Sequence, residues 1–211
     1  MDNKPKGYFA NVLAIDVETT GLAYGSKNGD PSYDRANNKT YQIVSIGLIV
    51  ANADTLDAVE ELYLEIKWDG TSEWNDAAER VHGLSKQHLE THGVTSEEAV
   101  LAIGNLILKY WGPDTLICLL GHNVATFDLF FLKRLMSSYG IDLRFGNRHV
   151  DTNSIGFATL QSYTSDEMFE YFGFVRDPNN HNALDDARFA LASTKLVRDL
   201  WTSCVIPVIE G

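Results

Sequence analysis

A mixed α/β fold, one sheet with helices on its faces, is what this sequence predicts, on three observations. Three apolar, strand-like runs follow one another in the first third of the chain, and helical and strand-like segments alternate after them. The run 115–120 is apolar throughout, as expected of a strand covered on both faces. The longest helical pattern lies near the end, with Ala183, Ala187, Ala190, Leu191, Thr194, Val197 and Trp201 on one face.

The first strand is read over residues 10–17, where Val12-Leu13-Ala14-Ile15 is continuously apolar. Residues 23–40 are rich in Gly, Asn, Ser and Asp, which is loop chemistry. Loops of that length are usually functional or disordered. Lys27, Arg35 and Lys39 against Asp30 and Asp34 make this one slightly basic, which suits a substrate flap or an insertion without a role. The second strand runs from Gln42 to Ala51, and a turn at Asn52-Ala53-Asp54 leads to a third near 58–67. The first three strands thus read as an antiparallel hairpin or meander. Short helical pieces between Ser72 and His92 are interrupted by Val81-His82-Gly83-Leu84-Ser85. Thr95-Ser96-Glu97-Glu98 is a capping-box signature, and the helix it opens reaches about Trp111, where Gly112-Pro113 stops it. The fourth strand, 115–120, leads through Gly121–Phe127 into a helix stopped by Gly140. A short fifth strand near Arg148 to Val150 precedes a helix carrying Ile155, Phe157 and Leu160, then another over 165–172. A turn at Arg176-Asp177-Pro178-Asn179-Asn180 precedes the final helix, from about Asn182 to Trp201.

The 211 residues are 45% hydrophobic and 22% charged, so the chain can bury a sizeable core. No linker, repeat or low-complexity tract divides it, and one domain over 1–211, with its core at about 10–201, is expected. No apolar run reaches the length of a membrane span, and the first residues lack the apolar segment of a signal peptide. No membrane partner and a cytoplasmic location are expected. Two cysteines are too few for a disulfide framework, and Cys118 reads as a small buried hydrophobe. The net charge of −12 argues against wrapping long duplexes, because each phosphate contact needs a cation. It is compatible with an acidic cluster that metal ions neutralise.

Asp16 and Glu18 close the first strand, and their spacing places both on one side of it. Two carboxylates at the end of an apolar strand are costly without compensation. They either splay into solvent or share a hard divalent cation such as Mg²⁺ or Mn²⁺. Asp128 stands at a helix start, where the helix dipole favours a carboxylate. Asp186 lies in the first turns of the last helix and His181 just before it. His82, beside Gly83, reads by itself as a turn residue.

Taken together, these segments closely resemble the DEDDh, or DnaQ-like, 3′→5′ exonuclease family of the RNase H-like superfamily. Asp16-x-Glu18-Thr19-Thr20-Gly21-Leu22 is similar to the family's first motif, His122-Asn123 with Phe127-Asp128 to its second, and His181-x-Ala183-x-x-Asp186-Ala187 to its third. Val81–Ser85 and Val150-Asp151-Thr152 match lesser signatures in the expected places. The resemblance implies an RNase H-like five-stranded sheet, with antiparallel strands first and parallel strands after. It implies two divalent cations, Mg²⁺ or Mn²⁺, held by Asp16, Glu18, Asp128 and Asp186, with His181 as general base. Thr19, Thr20, Gly21, Leu22, His82, Asn123 and Phe127 are the implied substrate-binding residues. The implied reaction is phosphodiester hydrolysis at the 3′ end of nucleic acid, releasing nucleoside 5′-monophosphates. The few basic residues favour single-stranded DNA ends. An exoribonuclease, or a non-catalytic accessory subunit of a polymerase, is the alternative. Several relatives act as dimers or as subunits, so a homodimer or a polymerase or replication partner is the implied assembly.

Overall fold

The computed structural model describes residues 9–23, 29–113, 115–177 and 181–204. Lys27 and the turn residues Pro178-Asn179-Asn180 lie outside them. Strand β1 is Asn11–Thr19, followed by the two-residue strands β2 (Tyr33–Asp34) and β3 (Lys39–Thr40), then β4 (Ile43–Asn52) and β5 (Ala58–Glu65). Helices α1 (Asp76–His82), α2 (Lys86–His92) and α3 (Ser96–Trp111) come next. Strand β6 (Leu119–Gly121) precedes α4 (Asp128–Ser138), and β7 (Val150–Asp151) runs directly into α5 (Thr152–Leu160). Helices α6 (Ser165–Tyr171) and α7 (Ala183–Cys204) complete the order. No helix among the described residues is long and apolar enough to cross a membrane.

The main sheet has five strands in the order β5-β4-β1-β6-β7. Strand β1 pairs antiparallel with β4 and parallel with β6, so the mixed topology expected from the sequence is present. Side-chain alternation in β1 sorts the core into two layers. Leu13, Ile15 and Val17 pack with Ile103 and Ile107 of α3 and Phe131 and Leu132 of α4. Val12 and Ala14 pack with Met168 and Phe169 of α6 and with Ala187, Ala190 and Leu191 of α7. Leu13 and Ile15 are wholly buried, and each contributes about 1.5–3 kcal/mol through burial. The Thr95 and Glu98 capping box forms as expected and starts α3.

Three expectations shift. The apolar run 115–120 becomes a regular strand only from Leu119, because Ile117 makes an isolated bridge with Phe145 instead of joining the ladder. The third strand ends at Glu65, two residues early, as Ile66 leaves it to bridge Val94. The polar loop carries a small hairpin, β2–β3, too short to show any sequence period. Arg134 of α4 fastens this hairpin: it donates to Ser32 Oγ at 2.6 Å and Asp30 Oδ2 at 3.1 Å, and its guanidinium covers the Tyr33 ring.

Candidate active site

Asp16 and Glu18 share the alternation of Val12 and Ala14, so both carboxylates face the α7 side of the sheet. Between Glu18 and Thr19 the β1–β4 register slips. Such a bulge re-aims side chains at a strand end. Gly47 stands opposite Asp16 in that register. A Cβ on Gly47 would lie 2.4 Å from the Ala183 carbonyl oxygen and the Leu184 nitrogen. Glycine therefore lets the first turn of α7 rest directly on the strand. That turn carries Asp186, which is 2% exposed. The Asn182 side chain starts the helix by accepting from the Leu184 and Asp185 N–H groups, at 3.0 and 3.3 Å. His181 is tied down just before it, its backbone N–H donating to the Val81 carbonyl at 3.2 Å.

These constraints bring three of the predicted residues together. One donor atom each from Glu18, His181 and Asp186 lies within 4.8 Å of the others. Asp128 arrives from the opposite layer as the first residue of α4, 2% exposed, its Oδ1 accepting the Val17 N–H at 3.0 Å. Asp16 feels the charges of all three other acids, Asp128, Glu18 and Asp186.

The electrostatics are those of crowded carboxylates. Burial, then the charges of Asp128, Glu18 and Asp186, push Asp16 well above the usual carboxylate range. Glu18 is pushed up to about 8 by burial and then by Asp186. Asp128 also reaches about 8 through burial, although N–H groups bound to it act the other way. Asp16 and Glu18 each keep a sliver of exposed surface, so the cluster opens to the surface. A nest of crowded, buried carboxylates fits hard divalent ions by donor type and charge.

Arg176 counters this charge in part. Its guanidinium grips both oxygens of Asp186 and also lowers Asp16 and Glu18. Sequence reasoning placed Arg176 only in a turn. Ten residues separate it from Asp186, and no periodic signal links the two.

Two cavities line the acids. One of about 270 Å³ is bounded by Glu18, Gly21, Leu22, His82 and Phe127. The other, about 360 Å³, is bounded by Asp16, His122, Asn123, Phe127, Arg176 and Asp186. Phe127 lines both, so the two cavities flank it beside the carboxylates. Thr19 and Thr20 brace the floor of the smaller one. Thr19 donates to the Gly21 carbonyl, and the Thr20 hydroxyl, fully buried, accepts the Gln42 N–H. Gly21 has φ of +144°, and a Cβ there would meet the Tyr41 ring at 2.9 Å. Leu22 follows it into the cavity. Asn123 adopts a left-handed φ of 56°, a strain that functional sites commonly store. Its N–H donates to Asp151 Oδ1 at 2.9 Å, so the lesser signature around Asp151 serves to hold the Asn123 turn.

His82 is 1% exposed. Its Nδ1 accepts the Leu84 N–H at 3.0 Å, and burial lowers its pKa to about 4. The neutral ring thus carries its proton on Nε2. That nitrogen leans on the Thr19 backbone but meets no acceptor at hydrogen-bonding geometry. Burial, and then Arg176, also lower the pKa of His181.

The family model described as exonuclease, of the RNase T type, matches residues 13–194. No curated protein sequence matches the chain. Among solved structures, E. coli exonuclease I in complex with a dT13 oligonucleotide is similar at a TM-score of 0.71 and 16% identity, over 92% of this chain and 43% of that one. Its complex with a 5cy-dT13 oligonucleotide gives 0.69 and 17%, over 92% and 42%. The zinc-bound form of the E. coli enzyme with single-stranded DNA gives 0.70 and 16%, over the same shares. The chain thus spans about two-fifths of the exonuclease I chains it resembles. With its mixed five-stranded sheet and a family match across nearly the whole described fold, this chain belongs to the RNase T family of exonucleases, DnaQ-like proteins of the RNase H-like superfamily.

Proposed function

We propose that the chain is a single-domain 3′→5′ exonuclease of the DEDDh type. It shortens single-stranded nucleic acid, DNA before RNA, and releases nucleoside 5′-monophosphates. The observation that carries this reading is the convergence of Glu18, His181 and Asp186 donor atoms within 4.8 Å, beside the two cavities that flank Phe127. The four acids Asp16, Glu18, Asp128 and Asp186 hold two divalent cations, Mg²⁺ or Mn²⁺. When bound, such ions neutralise the phosphate, acidify water and stabilise the leaving oxygen.

The protein's own groups do the rest. His181 takes the proton of the attacking water. Burial and Arg176 keep its ring neutral, the form a base needs. The terminal nucleotide sits in the cavity of Leu22, Gly21 and His82, on the ledge that Thr19 and Thr20 support. The His82 ring forms part of the wall of that cavity. Phe127 offers an apolar face where the two cavities meet, and base stacking on aromatic groups is tolerant of sequence. Asn123, held by Asp151, positions the strand beyond it. Single-stranded oligonucleotides bound to E. coli exonuclease I, which shares this fold, support the substrate class. A cytoplasmic location follows as part of the same reading.

The test offers 5′-labelled single-stranded DNA, duplex DNA and a short RNA with Mg²⁺, Mn²⁺ or EDTA. A ladder shortened from the 3′ end of single-stranded DNA, abolished by EDTA, is expected. Cleavage that survives EDTA overturns the reading, and faster loss of RNA moves the substrate to oligoribonucleotides.

A further inference from the structure

Arg176 engages Asp186 more completely than an orienting contact requires. Its Nε donates to Asp186 Oδ1 at 2.9 Å and to Oδ2 at 3.1 Å, and its terminal nitrogen forms a second, short bond to Oδ2. Three of the roughly four acceptor positions of that carboxylate are thereby taken. The pair is well enclosed, with side-chain exposures of 16% for Arg176 and 2% for Asp186. The other terminal nitrogen holds Ser165 Oγ at 3.2 Å and Asp166 Oδ1 at 2.6 Å, and the guanidinium stacks over Phe169. Asp166 is 74% exposed, so the arginine already holds a solvated partner on its outer side.

We propose that Arg176 is a resident counter-cation that competes with divalent metal for Asp186, so that metal entry requires the guanidinium to release Asp186 while it keeps its hold on Asp166 and Ser165. This rests on the reading of Asp186 as a metal ligand.

The alternative role is orientation, in which Arg176 would aim Asp186 at the metal. The two roles differ in sign. Groups that orient a metal-binding carboxylate from behind are hydrogen-bond donors that leave its metal-facing lone pairs free. Arg176 instead occupies both oxygens of Asp186, and its charge repels an incoming cation. Competition is therefore the stronger effect. The arginine keeps four crowded acids folded together before metal arrives, and metal binding becomes an exchange of one cation for another.

The experiment titrates Mn²⁺ into the full chain by calorimetry, and follows melting with and without Mn²⁺, for wild type, R176Q and R176K. In R176Q the metal-free melting temperature falls, Mn²⁺ binds about tenfold tighter, the scale on which neighbours of metal ligands tune affinity, and the Mn²⁺-induced rise in melting temperature grows. R176K, a point charge without the fork, falls between. Unchanged or weaker Mn²⁺ binding by folded R176Q overturns the proposal while leaving the metal site standing. Absence of Mn²⁺ binding to every form overturns the metal reading itself. Asp166→Asn supplies the test if R176Q does not fold: losing the outer partner tightens the grip on Asp186 and weakens Mn²⁺ binding, and unchanged or tighter binding refutes the exchange.

Discussion

Replacing Gly47 with alanine would test whether α7 is placed by backbone contact with β4. The added Cβ would stand 2.4 Å from the Ala183 oxygen and the Leu184 Cα and nitrogen, where ordinary contact begins at 3.4 Å. The first turn of α7 must therefore retreat by about 1 Å, or the strand must bend by as much; such overpacking costs about 1–3 kcal/mol. For a chain of this size that lowers the melting temperature by roughly 2–12 °C. Asp186 and His181 ride on the displaced turn. A misplacement of ~1 Å at reacting groups costs on the order of 10²-fold in rate, or ~2.7 kcal/mol of barrier. Differential scanning calorimetry and a single-turnover assay on 5′-labelled single-stranded DNA measure the two effects. Gly104→Ala is the control. It lies inside α3, where an added Cβ meets only Met136 Cε at 4.0 Å. That change should raise stability by up to ~1 kcal/mol through helix propensity. A Gly47→Ala protein that melts within about 1 °C of wild type and cleaves within threefold of it would refute the close-approach argument.

Three other outcomes follow from the site. The metal-free protein should lose stability as pH rises from 7 through about 8, since Glu18 and Asp128 titrate near 8 when folded and lower when unfolded. The folded state then binds the extra protons, so stability is complete below the unfolded values and is lost through the folded ones. His82, lowered to about 4, acts oppositely only below its ordinary 6.5. Melting in EDTA at pH 7 and 8.5 checks this, and Mn²⁺ should stabilise more at 8.5; an EDTA melting temperature that climbs over this range counts against it. His181→Ala should lower the single-turnover rate by about 10²–10⁴-fold, the usual weight of a general base. Equal rates would remove His181 from proton transfer. Arg134→Met should expose residues 29–40 to proteolysis by releasing Ser32 and Asp30, with cleavage of single-stranded DNA unchanged; a large loss of activity would instead make the loop a substrate flap.

Much of this was legible in the sequence because it is local. The parity of Asp16 and Glu18 follows from strand pleating, and the start of α3 follows from Thr95 and Glu98. The position of α7 relative to its motif follows from the capping side chain of Asn182. What stayed hidden depends on contacts across the fold. Nothing in the run 115–120 reveals that Ile117 pairs away from β1, toward Phe145. The tether from Arg134 to Asp30 joins residues 104 positions apart. Arg176 looks like any turn arginine until α6 and α7 close around it, and the state of the His82 ring is set only once the Leu84 N–H has claimed its Nδ1.

The place of β1 at the middle of the five-stranded sheet bears on how the protein opens. At Leu13 and Ala14 the strand pairs with β4 on one side and β6 on the other, the kind of backbone that opens last. Asp16 and Glu18 lie just beyond that doubly paired stretch and are held by β4 at Gly47 and Ser45, and the first turn of α7, which carries Asp186, is pressed onto β4 at Gly47. His181 lies outside α7, with its backbone N–H on the Val81 carbonyl at the end of α1. On the proposed reading, a local opening there would withdraw His181 and stop proton transfer while the charge cluster stayed together.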